Sequence, residues 1–241
     1  MFSNHSTEKE DLNNSYSIHT LRMNTLEPPA PPAPQMQPYK STFGNPAPLG
    51  LISYGTGFLF SSIMTLASKS VGSPNLVMVL ATFYCGITLT LVGMWEMFLG
   101  NTFSATLFTT YGGFNFSYGA IFLPQVGIAA AYTVDGVVGQ GYFNAIGIYL
   151  AVWTLVTFLF FLGTLRTTIP TIVTLGFSVC ALVCLSLNAF TGNPHLATAG
   201  GAMGVIASFG AYYSAFSLFW TQQTTLSFIR LPPLAIAPLD V

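Results

Sequence analysis

From Leu49 to Trp220 the chain is a succession of long apolar runs, separated by short polar junctions and almost free of charge. A bilayer span needs about 20 mostly apolar residues. Six runs meet or approach that length: Leu49–Ala67, Leu76–Leu99, Phe103–Tyr132, Ala145–Leu165, Ile169–Phe190 and Ala197–Trp220. Only 5% of the 241 residues are charged, against roughly a quarter in a soluble domain. Such a chain has too little polar surface to face water, so most of its surface must face lipid. A membrane barrel would alternate apolar and polar residues over about ten positions; these runs are continuous. The expected fold is an all-α membrane protein, six transmembrane helices in a compact bundle. The third run contains Gly112-Gly113 and Pro124, which predicts a tilted helix or one broken near the proline.

Three parts are expected: a tail over 1–43, a membrane domain over 44–220 and a C-terminal tail over 221–241. The first is polar, and its stretch Glu27-Pro28-Pro29-Ala30-Pro31-Pro32-Ala33-Pro34 cannot be helical, so it reads as a disordered, proline-rich segment. It has no apolar core of the signal-peptide kind. Lys40, Arg166 and Arg230 fall on one side of the spans and Lys69 on the other, which predicts cytoplasmic N- and C-termini. The sequons at Asn4 and Asn13 would then remain unmodified.

The formal net charge of −1 offers no basic face for nucleic acid. Cys85, Cys180 and Cys184 lie in apolar runs without His or carboxylate neighbours, so no metal site is expected. No phosphate loop, catalytic triad or cofactor motif is present, and neither an enzyme nor a cofactor is expected. Ionisable residues inside membranes are functional candidates because burying them is costly. Glu96 is the leading one; Asp135 and His195 read as loop residues. The remaining polar content is small and uncharged, including Ser53, Tyr54, Thr56, Thr109, Tyr111, Asn115 and Asn188. Many of these are helix-packing glue. Together they suit a path for a small carboxylate, which hydroxyls, amides and helix N-termini can hold without a fixed cation.

Asn45-Pro46-Ala47-Pro48-Leu49-Gly50-Leu51 joins the tail to the first run. Prolines suit a first helical turn, and Asn45 can cap it. The segment reads as a helix start, or as a re-entrant mouth whose free N–H groups attract an anion. Gly192-Asn193-Pro194 echoes Gly44-Asn45-Pro46. An aquaporin is rejected, because only one Asn-Pro-Ala occurs and it precedes the first span.

The heptapeptide resembles the entrance motif of the acetate uptake transporter family. Glu96 with Gly100-Asn101-Thr102-Phe103, then Tyr111-Gly112-Gly113-Phe114, then Phe161-Leu162-Gly163-Thr164-Leu165 follow in that family's order, and the long tail resembles its fungal branch. The resemblance implies transport of acetate and similar monocarboxylates, six helices per subunit, a homo-hexamer in lipid, and the plasma membrane. It implies a constriction formed by Tyr54, Tyr111 and an aliphatic in the fifth helix, Val179. It marks Glu96, Asn101 and Thr102 as a proton or polar site. Tyr54 stands where many members have Phe, so an extra hydroxyl is expected in the constriction. A membrane acetate sensor and an ammonium or water conductor are the alternatives.

Overall fold

The computed structural model describes Asn14 and residues 43–71 and 75–236. Contacts divide the chain into two units, Met1–Gly44 and Asn45–Val241, and every named element lies in the second. The proline-rich segment 27–34, Asn4, Asn13, Lys40 and the Ser73-Pro74 break lie outside the described residues.

Helix α1 (Ala47–Leu66) begins where the prolines place it. Pro46 and Pro48 need no amide partner in a first turn, and Asn45 Oδ1 accepts from the Ala47 N–H at 3.0 Å. After the short α2 (Ser68–Val71), one rod is built from α3 (Asn75–Val79), a π-helical segment (Leu80–Gly86) and α4 (Ile87–Phe98). Helix α5 (Thr102–Ile121) is capped by Asn101, whose Oδ1 accepts from the Ser104 N–H at 3.3 Å.

The run expected to continue to Tyr132 is broken: α5 stops at Ile121. Pro124 lacks an N–H and disfavours helical geometry at Leu123. A one-turn α6 (Ile128–Ala131) and a hairpin, β1 (Thr133–Val134) with β2 (Val137–Val138), follow. Asp135 and Gly136 have φ of 52° and 81°, the left-handed pair a tight two-residue hairpin requires.

Three long helices complete the bundle: α7 (Gln140–Gly163), α8 (Ile169–Thr191) and α9 (Pro194–Phe219). Gly192, at φ 66°, ends α8. Asn193 then opens α9, accepting from the His195 N–H at 3.0 Å. The echoed Asn-Pro letters therefore encode the same local event, a capped helix start. The segment after Trp220 returns to the loop before α8. Thr168 and Ala235 form an antiparallel bridge, and the Ile169 N–H donates to the Leu234 carbonyl at 2.9 Å.

Five helical runs are long and apolar enough to cross a membrane: α1, Leu76–Phe98, α7, α8 and α9. Helix α5 has 20 residues but carries Ser, Thr, Asn and Gly along its length, and it falls outside that set. The burial pattern is that of a membrane bundle. Large apolar side chains such as Phe83, Leu91, Leu155 and Phe209 are exposed, while Ala207, Ala211 and Ala215 are fully buried. Small residues let helix backbones approach where lipid removes the hydrophobic drive to associate.

Glycine contacts give the relative directions. Gly93 of α4 faces Ala105 and Thr109, and Gly119 faces Met78 of α3, so the rod that α4 completes runs antiparallel to α5. Gly50 faces Val92 and Gly57 faces Cys85, which sets α1 against α4. Gly200 meets Leu185 and Gly210 meets Pro170, which sets α9 against α8. Thr157 on α7 bonds Tyr111 and Gly163 meets Phe103, so α7 opposes α5. Helices α1, α5 and α8 thus run one way, and α4, α7 and α9 the other.

Candidate functional site

Two cavities lie between α1, α5 and α8, and one aromatic pair borders both. The first, of about 70 Å³, is lined by Phe58 and Ser61 of α1, Phe114, Asn115 and Tyr118 of α5, and Ser178 and Leu182 of α8, among others. The second, of about 30 Å³, is lined by Leu51 of α1, Leu107 and Phe108 of α5, and Thr171, Thr174 and Leu175 of α8. Tyr54 and Tyr111 line both. A single water needs about 10–15 Å³ of such space, so each cavity has room for water. Among the described residues, none that lines either cavity is charged.

The lining positions explain the geometry. Along α1 they are 51, 54, 57, 58 and 61; along α5, 107, 108, 111, 114, 115 and 118; along α8, 171, 174, 175, 178, 182 and 185. Steps of three and four select one helix face. On all three helices the lower numbers line the second cavity and the higher numbers the first. The N-terminal thirds of α1, α5 and α8 therefore surround the second cavity. The positive ends of three helix dipoles lie on that side.

The contact between the two cavities is made of rings held by hydroxyls. Tyr54 and Tyr111 meet edge to face, centroids 5.1 Å apart. Phe160 closes on Tyr111 at 5.9 Å. Tyr54 Oη lies 2.7 Å from Ser178 Oγ, and the Tyr111 hydroxyl donates to Thr157 Oγ1 at 3.2 Å. The extra hydroxyl expected inside the constriction at Tyr54 is thus drawn aside onto α8.

The structure does not bring Val179 to this pair. Val179 lines a separate apolar groove with Phe158, Phe161, Ile172 and Phe177. One residue is about 100° of helix rotation, so with Ser178 facing the tyrosines its neighbour points elsewhere. Leu175 is the buried aliphatic of α8 that joins the cluster of Tyr111, Leu89, Val92 and Phe108.

The entrance motif opens a full-length helix, not a re-entrant half-helix. Asn45 caps it, and Leu49 is exposed. Pro48 and Gly50 are buried. A Cβ at Gly50 would stand 2.8 Å from the Phe108 ring and 2.9 Å from Val92 Cγ1; the glycine lets α1 close on α4 and α5. Leu51 reaches the second cavity. Pro46 and Ala47 form the first turn.

Glu96 is buried, 3% exposed, at the end of α4. It is the one buried Asp, Glu, Lys, Arg or His among the described residues. Asn101 follows it closely: the Asn101 N–H donates to the Glu96 carbonyl at 2.9 Å, while its side-chain amide donates to Ser104 Oγ at 3.0 Å. Thr102 is the exposed first residue of α5. None of these three lines either cavity. Val92 and Glu96 share a helix face, and Val92 abuts Gly50, so Glu96 sits level with the start of α1.

Ser178, Thr157, Thr174 and Leu175 were not singled out from sequence. For Thr174, Leu175 and Ser178 the available signal was the three-and-four spacing of small polar and aliphatic residues along α8; Thr157, on α7, had none.

A profile of the GPR1/FUN34/yaaH family matches residues 28–237. The chain is 36% identical over 216 residues to Ammonia transport outward protein 2 of Saccharomyces cerevisiae, covering 90% of this chain and 73% of that protein. It is 34% identical over 224 residues to Acetate permease A of Emericella nidulans, covering 87% and 74%. The solved structure of the bacterial acetate channel SatP superposes with a TM-score of 0.65 at 25% identity, covering 78% of this chain and 97% of that one.

Proposed function

The chain belongs to the GPR1/FUN34/yaaH family, and from that premise we propose that it moves acetate and similar small monocarboxylates across a membrane. The path runs between α1, α5 and α8 and is gated by Tyr54 and Tyr111. The observation that carries this reading is the pair of uncharged cavities meeting at one aromatic contact. Apolar walls accept a methyl group, while an inorganic ion would lose its hydration there at high cost. Hydroxyls and helix N-termini offer a carboxylate weak, successive sites, and release needs weakness.

Six membrane spans, with α5 the least apolar, fit the alternating helix directions. On that topology the termini are cytoplasmic, Arg166 and Arg230 lie inside, and the second cavity opens to the cytoplasm. The wide exposed apolar faces suit lipid and further subunits, a homo-hexamer by family resemblance, in the plasma membrane. Glu96 is the proposed proton carrier, at the cytoplasmic end of the bundle, supported by its burial and its place level with the start of α1.

Labelled acetate uptake into proteoliposomes tests the reading. Wild-type protein is expected to take up acetate, faster with an inward proton gradient. No uptake from well-folded protein would sink the transport reading and favour a membrane sensor. Glu96→Gln is expected to remove the gradient's stimulation while leaving gradient-free uptake in place; a retained stimulation would assign the proton elsewhere. A second reading, ammonium conduction, is favoured by the uncharged lining and by the relative named for ammonia transport. Inhibition of acetate uptake by propionate but not by ammonium separates the two.

A further inference from the structure

A hydroxyl has one proton to donate, and this decides which way the constriction's hydrogen bonds run. Ser178 Oγ donates to the Thr174 carbonyl at 2.7 Å, so at its 2.7 Å contact with Tyr54 it accepts. Thr157 Oγ1 donates to the Trp153 carbonyl at 2.8 Å, and accepts from the Tyr111 hydroxyl. In these contacts each tyrosine proton is directed to a buried hydroxyl, and each of those hydroxyls to a helix carbonyl, while the two tyrosine hydroxyls also interact with each other. Ser178 is 1% exposed and Thr157 fully buried. One relay ties Tyr54 of α1 to α8; the other ties Tyr111 of α5 to α7.

We propose that Ser178 and Thr157 are positioning residues that latch the constriction and so set the size of solute it passes. The inference deepens the transport reading and rests on it. The rings close the path, but a ring turns about its χ1 and χ2 bonds, and apolar contact alone gives little orientation. The relays supply that orientation by pinning each ring at its far end. They also keep both O–H donors turned to the walls, so the closed gate offers a carboxylate no donor at its narrowest point. Opening requires a tyrosine to leave its hydroxyl partner. The freed O–H is then available to the carboxylate, so the loss on one side is offset on the other. A solute too large to sit beside a pinned ring is refused.

Two double-mutant cycles in proteoliposomes test this, read as the ratio of butyrate to acetate uptake. Tyr54→Phe and Ser178→Ala each remove the same bond while keeping the ring and the helix. Each is expected to raise the ratio about threefold to tenfold, and the double variant no further than either alone. Ser178→Thr, which keeps the hydroxyl, is expected to restore the wild-type ratio. The same pattern is expected for Tyr111→Phe with Thr157→Val, and for rescue by Thr157→Ser. Merely structural roles would change both uptakes together, or give effects that multiply in the double variant, and either result overturns the latch. So do unchanged ratios in the single variants. If the wild type carries methylammonium and not acetate, the carboxylate reading fails while the latch is read on the ratio of dimethylammonium to methylammonium. If it carries neither, both fall.

Discussion

Tyr111→Ala is expected to open the path and blunt its selectivity, raising uptake of longer monocarboxylates by about tenfold or more relative to acetate. The ring is 4% exposed and is the shared wall of the two cavities. Its loss joins them and leaves Tyr54 and Phe160 without their partner at 5.1 and 5.9 Å. A narrow apolar ring gates by excluding water, and removing about 1.4 kcal/mol of barrier gives a tenfold rate change. A stability loss of roughly 3 kcal/mol accompanies it, as for other buried aromatics cut back to alanine. Uptake of acetate, propionate and butyrate, normalised to reconstituted protein, measures the effect. Unchanged uptake with normal expression would remove Tyr111 from the path.

The largest purely structural effect is expected at Gly93. A Cβ there lands 2.6 Å from the Thr109 amide nitrogen and 3.0 Å from the Ala105 carbonyl oxygen. These are backbone atoms and cannot swing away, so α4 and α5 must separate along their length. Overpacking of this kind costs about 1–3 kcal/mol, which lowers the thermal midpoint of a chain of this size by roughly 2–12 °C. Gly112 and Gly113 supply the internal control. A Cβ at Gly112 meets the Thr90 nitrogen at 2.9 Å and the Gly86 oxygen at 3.2 Å, while one at Gly113 meets nothing within 4 Å. Thermal unfolding of the detergent-solubilised alanine variants should rank Gly93 and Gly112 well below Gly113, which should match the wild type. Equal midpoints would mean that the α4–α5 crossing is looser than the structure has it.

The helices were legible in sequence because lipid imposes one simple requirement, length without charge. Their starts were legible where Asn45-Pro46 and Asn193-Pro194 spell a cap and a first turn. The interruption at Pro124 was one of two readings, and the proline's missing donor decides it. The π-helical segment was invisible: Leu80–Gly86 reads as ordinary apolar helix, and only tertiary packing chooses the wider turn. At the site, Tyr54 and Tyr111 were nameable only through the family resemblance, which marks both positions; nothing in their size separates them from the other aromatics of the chain. Their hydroxyl partners were not, since Ser178 and Thr157 look like the other serines and threonines that glue such bundles. Val179 failed for a geometric reason: a shift of one residue in an apolar helix leaves composition unchanged but turns the side chain by about 100°. Glu96 was rightly read as unusual, yet its place beside Asn101 and off both cavities depends on how α4 meets α5.

The wide turn at Leu80–Gly86 also makes this rod unequal along its length toward insertions and deletions. Within an α-helix, losing one residue shortens the rod by 1.5 Å and rotates everything beyond it by about 100°. In a π-helical stretch the chain already carries spare residues per turn, so a deletion there can be absorbed by reverting to α geometry. Length, start and the face presented by α4 would all survive, and Glu96 would stay in the bundle interior. The same loss between Ile87 and Glu96, where the helix is already α, would turn Glu96 by about 100° toward the lipid and strand its carboxyl there. A single missing codon is therefore tolerated before Gly86 and costly after it, even though either rod keeps the apolar residues needed to span the membrane.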